Sequence, residues 1–269
     1  MPFVESSSAR LRYELTDLIP PWTRPDTVLF HHGVATSLEI WSEWLPALVD
    51  RHALLRFDMR GCGHSSHVPV SFEWSVDHLL DDIIRVADAA DVERFHFVGE
   101  SFGGTLGIAL AAREPERMLS LTLANAAPRG GLVKNLSGWR GLMSQSPKVW
   151  SDQMMEWRFA PDELDAPRRE WFQGVQERSD SDVTLAIADL LARTDLSETL
   201  AEIRMPTLLL APGESPFIPA EVMRNMHLQI PGSQFRMFEG VRHGLPFSRG
   251  PECGAILASF LADQTTPRQ

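Results

Sequence analysis

The sequence predicts an α/β fold, a mostly parallel sheet covered by helices on both faces. Two observations carry that expectation. Short apolar runs alternate with segments of helical periodicity, as they do when parallel strands are joined by helical crossovers. One interval of about eighty residues lacks a convincing strand yet holds Trp139, Trp150, Trp157, Trp171, Met143, Met154 and Met155. Unstructured loops of that length are uncommon in a compact domain, so the interval is expected to be helical.

Strands are expected at 10–15 (RLRYEL), 27–31 (TVLFH), 53–57 (ALLRF), 94–98 (RFHFV), 119–124 (LSLTLA), 206–211 (PTLLLA) and 234–238 (QFRMF). The clearest helix is 75–90, where Val76, Leu79, Leu80, Ile83 and Ile84 form one apolar face and Asp77, Asp81, Asp82 and Arg85 the other. A last helix is expected over 252–262. The strand-poor interval falls between 119–124 and 206–211, which divides the chain into a core of 1–127 and 196–269 and a helical cap of 128–195. At 269 residues the chain is long enough for a complete core with one such insertion.

Composition narrows the function classes. Charged residues make up 23% and hydrophobic residues 43%, an ordinary globular balance. The formal net charge is −11, so a nucleic-acid partner is not expected. Cys62 and Cys253 stand alone, outside any Cys-x-x-Cys or Cys/His cluster, which argues against a disulfide framework or structural zinc. No apolar stretch reaches the ~18 residues of a membrane span, and the N-terminus lacks a basic segment followed by an apolar run. A cytoplasmic protein acting on a small molecule is expected, with no membrane partner, no metal and no cofactor; a homodimer is an assembly open to it.

The chemistry-bearing residues lie at strand ends. After the 94–98 strand comes Gly99-Glu100-Ser101-Phe102-Gly103, then a helix rich in Ala and Leu. This Gly-x-Ser-x-Gly pattern between a strand and a helix is a nucleophile elbow, in which a strained turn exposes the serine and its neighbours must lack a Cβ. The following helix points its N-terminus at the serine, where N–H groups favour negative charge. Ser101 is therefore the candidate nucleophile, and the Phe102 N–H one candidate oxyanion donor. After the 27–31 strand, His32-Gly33-Val34 supplies a second, Val34, while His32 is expected to shape the loop. The Asp58-Met59-Arg60-Gly61-Cys62-Gly63-His64-Ser65 turn is expected to be structural. His243, in Glu239-Gly240-Val241-Arg242-His243-Gly244, follows the last strand and is the candidate general base, in the Ser-first, His-last order.

These features together resemble the α/β-hydrolase superfamily over nearly the whole chain. The finer likeness is to 3-oxoadipate enol-lactonases and related small hydrolases, carried by Leu123-Ala124-Asn125-Ala126-Ala127, by Glu156-Trp157-Arg158-Phe159-Ala160-Pro161-Asp162, and by Asp195-Leu196 through Ile203-Arg204-Met205-Pro206-Thr207. The resemblance implies an eight-stranded sheet with the cap inserted after the sixth strand. It also implies cleavage of a small ester, lactone or related carbonyl compound. Hydrolysis of a carbon–carbon bond in a vinylogous diketone uses the same residues and stays open, as does a degenerate, ligand-binding protein. Trp139, Trp157 and Arg129 are candidate substrate contacts, and Arg129, Lys134, Arg140 and Arg158, in or near the cap, are the candidates to meet a substrate carboxylate such as a dicarboxylate-like lactone carries, each being otherwise a solvated surface cation. One departure stands out. The family's acid usually follows the seventh strand, but the loop here reads Ala211-Pro212-Gly213-Glu214-Ser215-Pro216-Phe217-Ile218-Pro219 and holds no aspartate. Ser215 occupies the expected position; Glu214, one residue earlier and longer, is the candidate acid, with Ser215 as the alternative partner of His243. The other place relatives use, after the sixth strand, holds Asn125.

Overall fold

The computed structural model describes residues 2–264. All seven expected strands form, and an eighth precedes them: β1 (Phe3–Ser6), antiparallel to β2 (Ala9–Thr16) at the sheet edge. Four residues that alternate between exposed and half-buried leave little periodicity to read, which is why β1 is not evident in the sequence. The others are β3 (Thr27–His31), β4 (Ala53–Phe57), β5 (Phe95–Glu100), β6 (Met118–Ala124), β7 (Thr207–Pro212) and β8 (Gln234–Phe238). The sheet order is β1-β2-β4-β3-β5-β6-β7-β8, parallel from β4 to β8. This is the eight-stranded, mostly parallel arrangement expected.

The central strands are apolar throughout because both faces are covered. Successive residues go to opposite sides: Leu29 and Leu209 join one core cluster, whereas Val28, Phe30, Leu208 and Leu210 join the other. Helices α1 (Val76–Ala89) and α2 (Phe102–Arg113) cover the first face, through Leu79, Ile83, Leu106 and Leu110. Ser75 caps α1, its Oγ accepting from the His78 N–H at 3.2 Å.

Between β6 and β7 lie α3 (Trp139–Met143), α4 (Pro147–Arg158), α5 (Ala166–Glu177) and α6 (Ser181–Arg193). A bridge between Arg129 and Asp195 pairs the two ends of this insertion, reinforced by the Leu196 N–H on Pro128 O at 2.8 Å. After β7 come α7 (Ala220–Gln229), α8 (Leu245–Ser248) and α9 (Gly250–Ala262), and α9 packs Leu257 and Leu261 into the second cluster with Trp41 and Trp44. Trp171 stacks on Phe247 of α8 at 5.4 Å, which fastens the insertion to the core, while the fully buried Trp150 packs edge-on against Trp139 within the insertion at 5.5 Å.

The Asp58–Ser65 turn is structural, as expected. Asp58 accepts from the Leu38 and His64 N–H groups at 2.8 and 2.9 Å, and Arg60 makes two 2.6 Å bonds to Asp82 on α1. The paired geometry satisfies both buried charges. Among the described residues, no helix is long and apolar enough to cross a membrane.

Candidate active site

Ser101 sits where β5 turns into α2, at φ 53° and ψ −116°, a conformation few L-residues adopt. The tightness of the turn explains its glycines. A Cβ on Gly99 would lie 2.4 Å from Gly103 O, and one on Gly103 would lie 2.4 Å from His31 O. The strain holds the hydroxyl at the carboxyl edge of the sheet, where the β8 loop delivers His243. His243 Nε2 lies 3.1 Å from Ser101 Oγ.

Position 215 carries the main correction to the sequence reading. Glu214 is exposed and its backbone N–H is used on Val241 O at 2.9 Å, while the buried side chain facing His243 is Ser215, with Oγ 3.0 Å from Nδ1. The loop turns inward at Ser215, so Glu214 points away. Two backbone donors, the Phe217 and Ile218 N–H groups, also reach Ser215 Oγ at 3.3 and 3.1 Å. A carboxylate here, with about four acceptor sites, could accept from both of them and from a protonated Nδ1 together. A hydroxyl has two lone pairs and one proton. With both lone pairs engaged by backbone N–H groups, its proton goes to His243 Nδ1. That favours the imidazole tautomer with its proton on Nε2, opposite to what a general base for Ser101 needs.

His243 is buried, and burial, followed by the positive charge of Arg158, holds it well below its ordinary 6.5. A base acts when neutral, so activity is expected to persist below pH 6.5 and to fall only as pH drops through this lowered value. A kcat/KM profile whose acid limb lay at or above pH 6.5 would contradict this environment.

His32 proves to be a loop-shaping residue. Its Nε2 accepts from the Met59 N–H at 2.9 Å, which leaves the proton on Nδ1 for Gly33 O at 2.7 Å. Val34 and Phe102, the candidate oxyanion residues, both line the cavity at Ser101.

That cavity measures about 20 Å³, and Trp139 and Arg158 also line it. A larger cavity of about 340 Å³, between His64 and Trp171, includes neither Ser101 nor His243. Of the residues expected as substrate contacts, Trp139 lines this cavity. Trp157 sits one layer back, edge-on to Phe217 at 5.4 Å. Arg129 is not at the site: it is half exposed and faces Asp195 at the base of the insertion, drawn there by the pairing of the chain ends. Lys134 and Arg140 are likewise exposed.

Two residues gain roles that the sequence does not make plain. Asn125, just past β6, donates from Nδ2 to the His243 backbone carbonyl. Arg158, the last residue of α4, ties three parts together. Its Nη2 donates to Val34 O at 3.1 Å, its Nη1 lies 3.8 Å from Glu100 Oε1, and its carbonyl accepts from the Gly244 N–H at 2.7 Å. Arg242 caps the same helix end, donating to Glu156 O and Phe159 O at 2.7 and 3.1 Å. The histidine loop is thereby fastened to the helical insertion. In the sequence Arg158 is one of several cap cations, and nothing there marks it as the one that fastens the histidine loop.

A family model described as alpha/beta hydrolase fold matches residues 26–249. The chain is 28% identical over 227 residues to a protein of Azorhizobium caulinodans provisionally named carbamate hydrolase RutD, covering 82% of this chain and 83% of that one. A protein of the same name from Agrobacterium fabrum is 28% identical over 258 residues, 89% of this chain and 95% of its own. Among solved structures, a hydrolase from Pseudomonas aeruginosa PA01 matches with a TM-score of 0.86 at 25% identity over 97% of each chain. An enol-lactonase from Burkholderia xenovorans LB400 matches with a TM-score of 0.88 at 21% identity, covering 97% of this chain and all (100%) of that one, a likeness in fold.

Proposed function

Because the chain belongs to the alpha/beta hydrolase fold family, we propose that it is a serine hydrolase of small acyl compounds: esters, lactones or carbamates. The observation that carries this reading is the line from Ser101 Oγ to His243 Nε2, and from Nδ1 to Ser215 Oγ, at 3.1 and 3.0 Å, beside a cavity of about 20 Å³. Ser101 attacks the carbonyl carbon as His243 Nε2, in the less favoured tautomer that carries its proton on Nδ1, takes the serine proton, and the Val34 and Phe102 N–H groups meet the oxyanion. The imidazolium then protonates the leaving group. Water, deprotonated by the same nitrogen, releases the acid and frees Ser101.

Carbamate cleavage is included because relatives of nearly full length carry that name. Enol-lactones are included because the fold and the sequence motifs resemble enol-lactonases. The cavity beside Ser101 is narrow and walled largely by apolar side chains, among them Val133, Leu136, Leu191 and Ile218, so small acyl groups are favoured. The expected result is turnover of acetyl esters at least about tenfold faster than octanoyl esters, since each misfitted methylene costs discrimination. Measured kcat/KM across an acyl-length series, with small lactones and carbamates beside it, tests this. Absence of turnover throughout, or a preference for octanoyl, would overturn it.

A further inference from the structure

We propose that Glu100 is a positioning residue for the oxyanion site, setting the Val34 N–H in register with Ser101 from within the nucleophile elbow. This rests on the serine-hydrolase reading and deepens it. The two oxyanion donors come from segments far apart in the chain, the loop after β3 and the first residue of α2. Glu100 ends β5 one residue before Ser101, and its side chain reaches across to that loop.

The loop is held peptide by peptide. The Val34 N–H shares a trans peptide plane with the Gly33 carbonyl and points opposite to it. That carbonyl accepts from His32 Nδ1 at 2.7 Å and from Thr36 Oγ1 at 3.1 Å. The next carbonyl, Val34 O, accepts from Arg158 Nη2 at 3.1 Å. The preceding peptide carries the Gly33 N–H, and the Glu100 carboxyl lies against it: a Cβ on Gly33 would stand 2.1 Å from Oε2. Glu100 Oε1 also lies 3.8 Å from Arg158 Nη1. The carboxyl thus bears on both outer peptides, on one directly and on the other through the guanidinium. Ala35, next along, holds φ at 55°, a conformation that persists only where its surroundings enforce it.

Stability alone does not account for an acid at this place. Glu100 is 2% exposed, and its Oε2 has no hydrogen-bond partner among the described residues. Burial pushes the carboxyl toward the neutral form, opposed first by the charge of Arg158 and then by the Gly33 N–H. A half-satisfied buried carboxyl is costly, and an apolar side chain of similar length would avoid that cost. The apolar side chain would, however, leave the Gly33 N–H and Arg158 without their acceptor and the Val34 N–H less firmly aimed. Losing one oxyanion donor outright costs ~10²–10³ in kcat, so a misaimed one is expected to cost about tenfold.

The test is Glu100→Met, measured with an acetyl ester and with 1,1,1-trifluoro-2-butanone, whose adduct with Ser101 carries the oxyanion. The expected result is a fall in kcat of at least about tenfold with KM unchanged to within about twofold, and a matching rise in Ki for the ketone. Glu100→Gln keeps one acceptor and should lie between Glu100→Met and the wild type. Gly33→Ala is a second, independent variant. Gly33 does not have a positive φ, so alanine suits the backbone, but its Cβ takes the place of the carboxyl and should produce the same pattern. A loss confined to KM, or kcat and Ki within about twofold of the wild type in the folded variants, would overturn the positioning role while wild-type turnover keeps the serine-hydrolase reading intact. A wild type that neither turns over esters nor is labelled at Ser101 by a fluorophosphonate would overturn that reading, and the positioning role with it.

Discussion

Ser215→Asp is expected to raise kcat/KM for neutral esters by ~10²- to 10⁴-fold, the upper figure being the cost of giving a triad histidine the wrong tautomer. A carboxylate at this position would accept from the Phe217 and Ile218 N–H groups and from His243 Nδ1 together, placing the imidazole proton on Nδ1 and leaving Nε2 free as the base. Its charge would also stabilise the imidazolium, so the acid limb of the kcat/KM profile should move to higher pH. Glu214→Gln, by contrast, should change activity by less than about twofold, because Glu214 is exposed and turned from His243. A fall in activity in Ser215→Asp with the fold retained would mean that the hydroxyl itself is required. Steady-state kinetics with an acetyl ester, run as a pH series, distinguish these outcomes.

Ser101→Ala should remove turnover, but the size of the loss depends on residue 215. In a complete triad the nucleophile alone is worth ~2 × 10⁶ in kcat, and the acid alone ~3 × 10⁴, with strong non-additivity. A histidine without its acid has already forfeited most of the acid's share, which leaves ~10² for the serine to lose. In the Ser215→Asp background the same alanine should cost ~10⁴ or more. The cycle of wild type, both single variants and the double variant measures this coupling directly. Equal losses in the two backgrounds would show that residue 215 and Ser101 do not act through the same imidazole.

Much of this was legible in the sequence because it is local. The strands of the parallel sheet announce themselves as continuous apolar runs, and the elbow is a pattern of five residues whose glycines follow from steric contact. His243 follows from its place after the last strand. What was not legible depends on which way a side chain turns in a loop. Glu214 and Ser215 are neighbours, and a shift of one residue decides which of them faces the histidine; the bond from the Glu214 N–H to Val241 settles it in space but leaves no mark on composition. Arg158 and Arg129 show the same limit. Both are cations of the insertion, yet one ends a helix at the wall of the Ser101 cavity and the other lies in the bridge that pairs the insertion's ends. β1 was missed for a different reason, since four residues at an exposed edge are too few to show a period.

The central claim is that Ser101 is a nucleophile activated through His243, and the most direct measurement is the site and rate of covalent labelling by a fluorophosphonate. One adduct per chain is expected, on the peptide that contains Ser101. It should be absent in Ser101→Ala, strongly slowed in His243→Ala and faster in Ser215→Asp. Labelling at another residue, no labelling of the folded wild type, or labelling of Ser101 at an unchanged rate in His243→Ala would contradict the account.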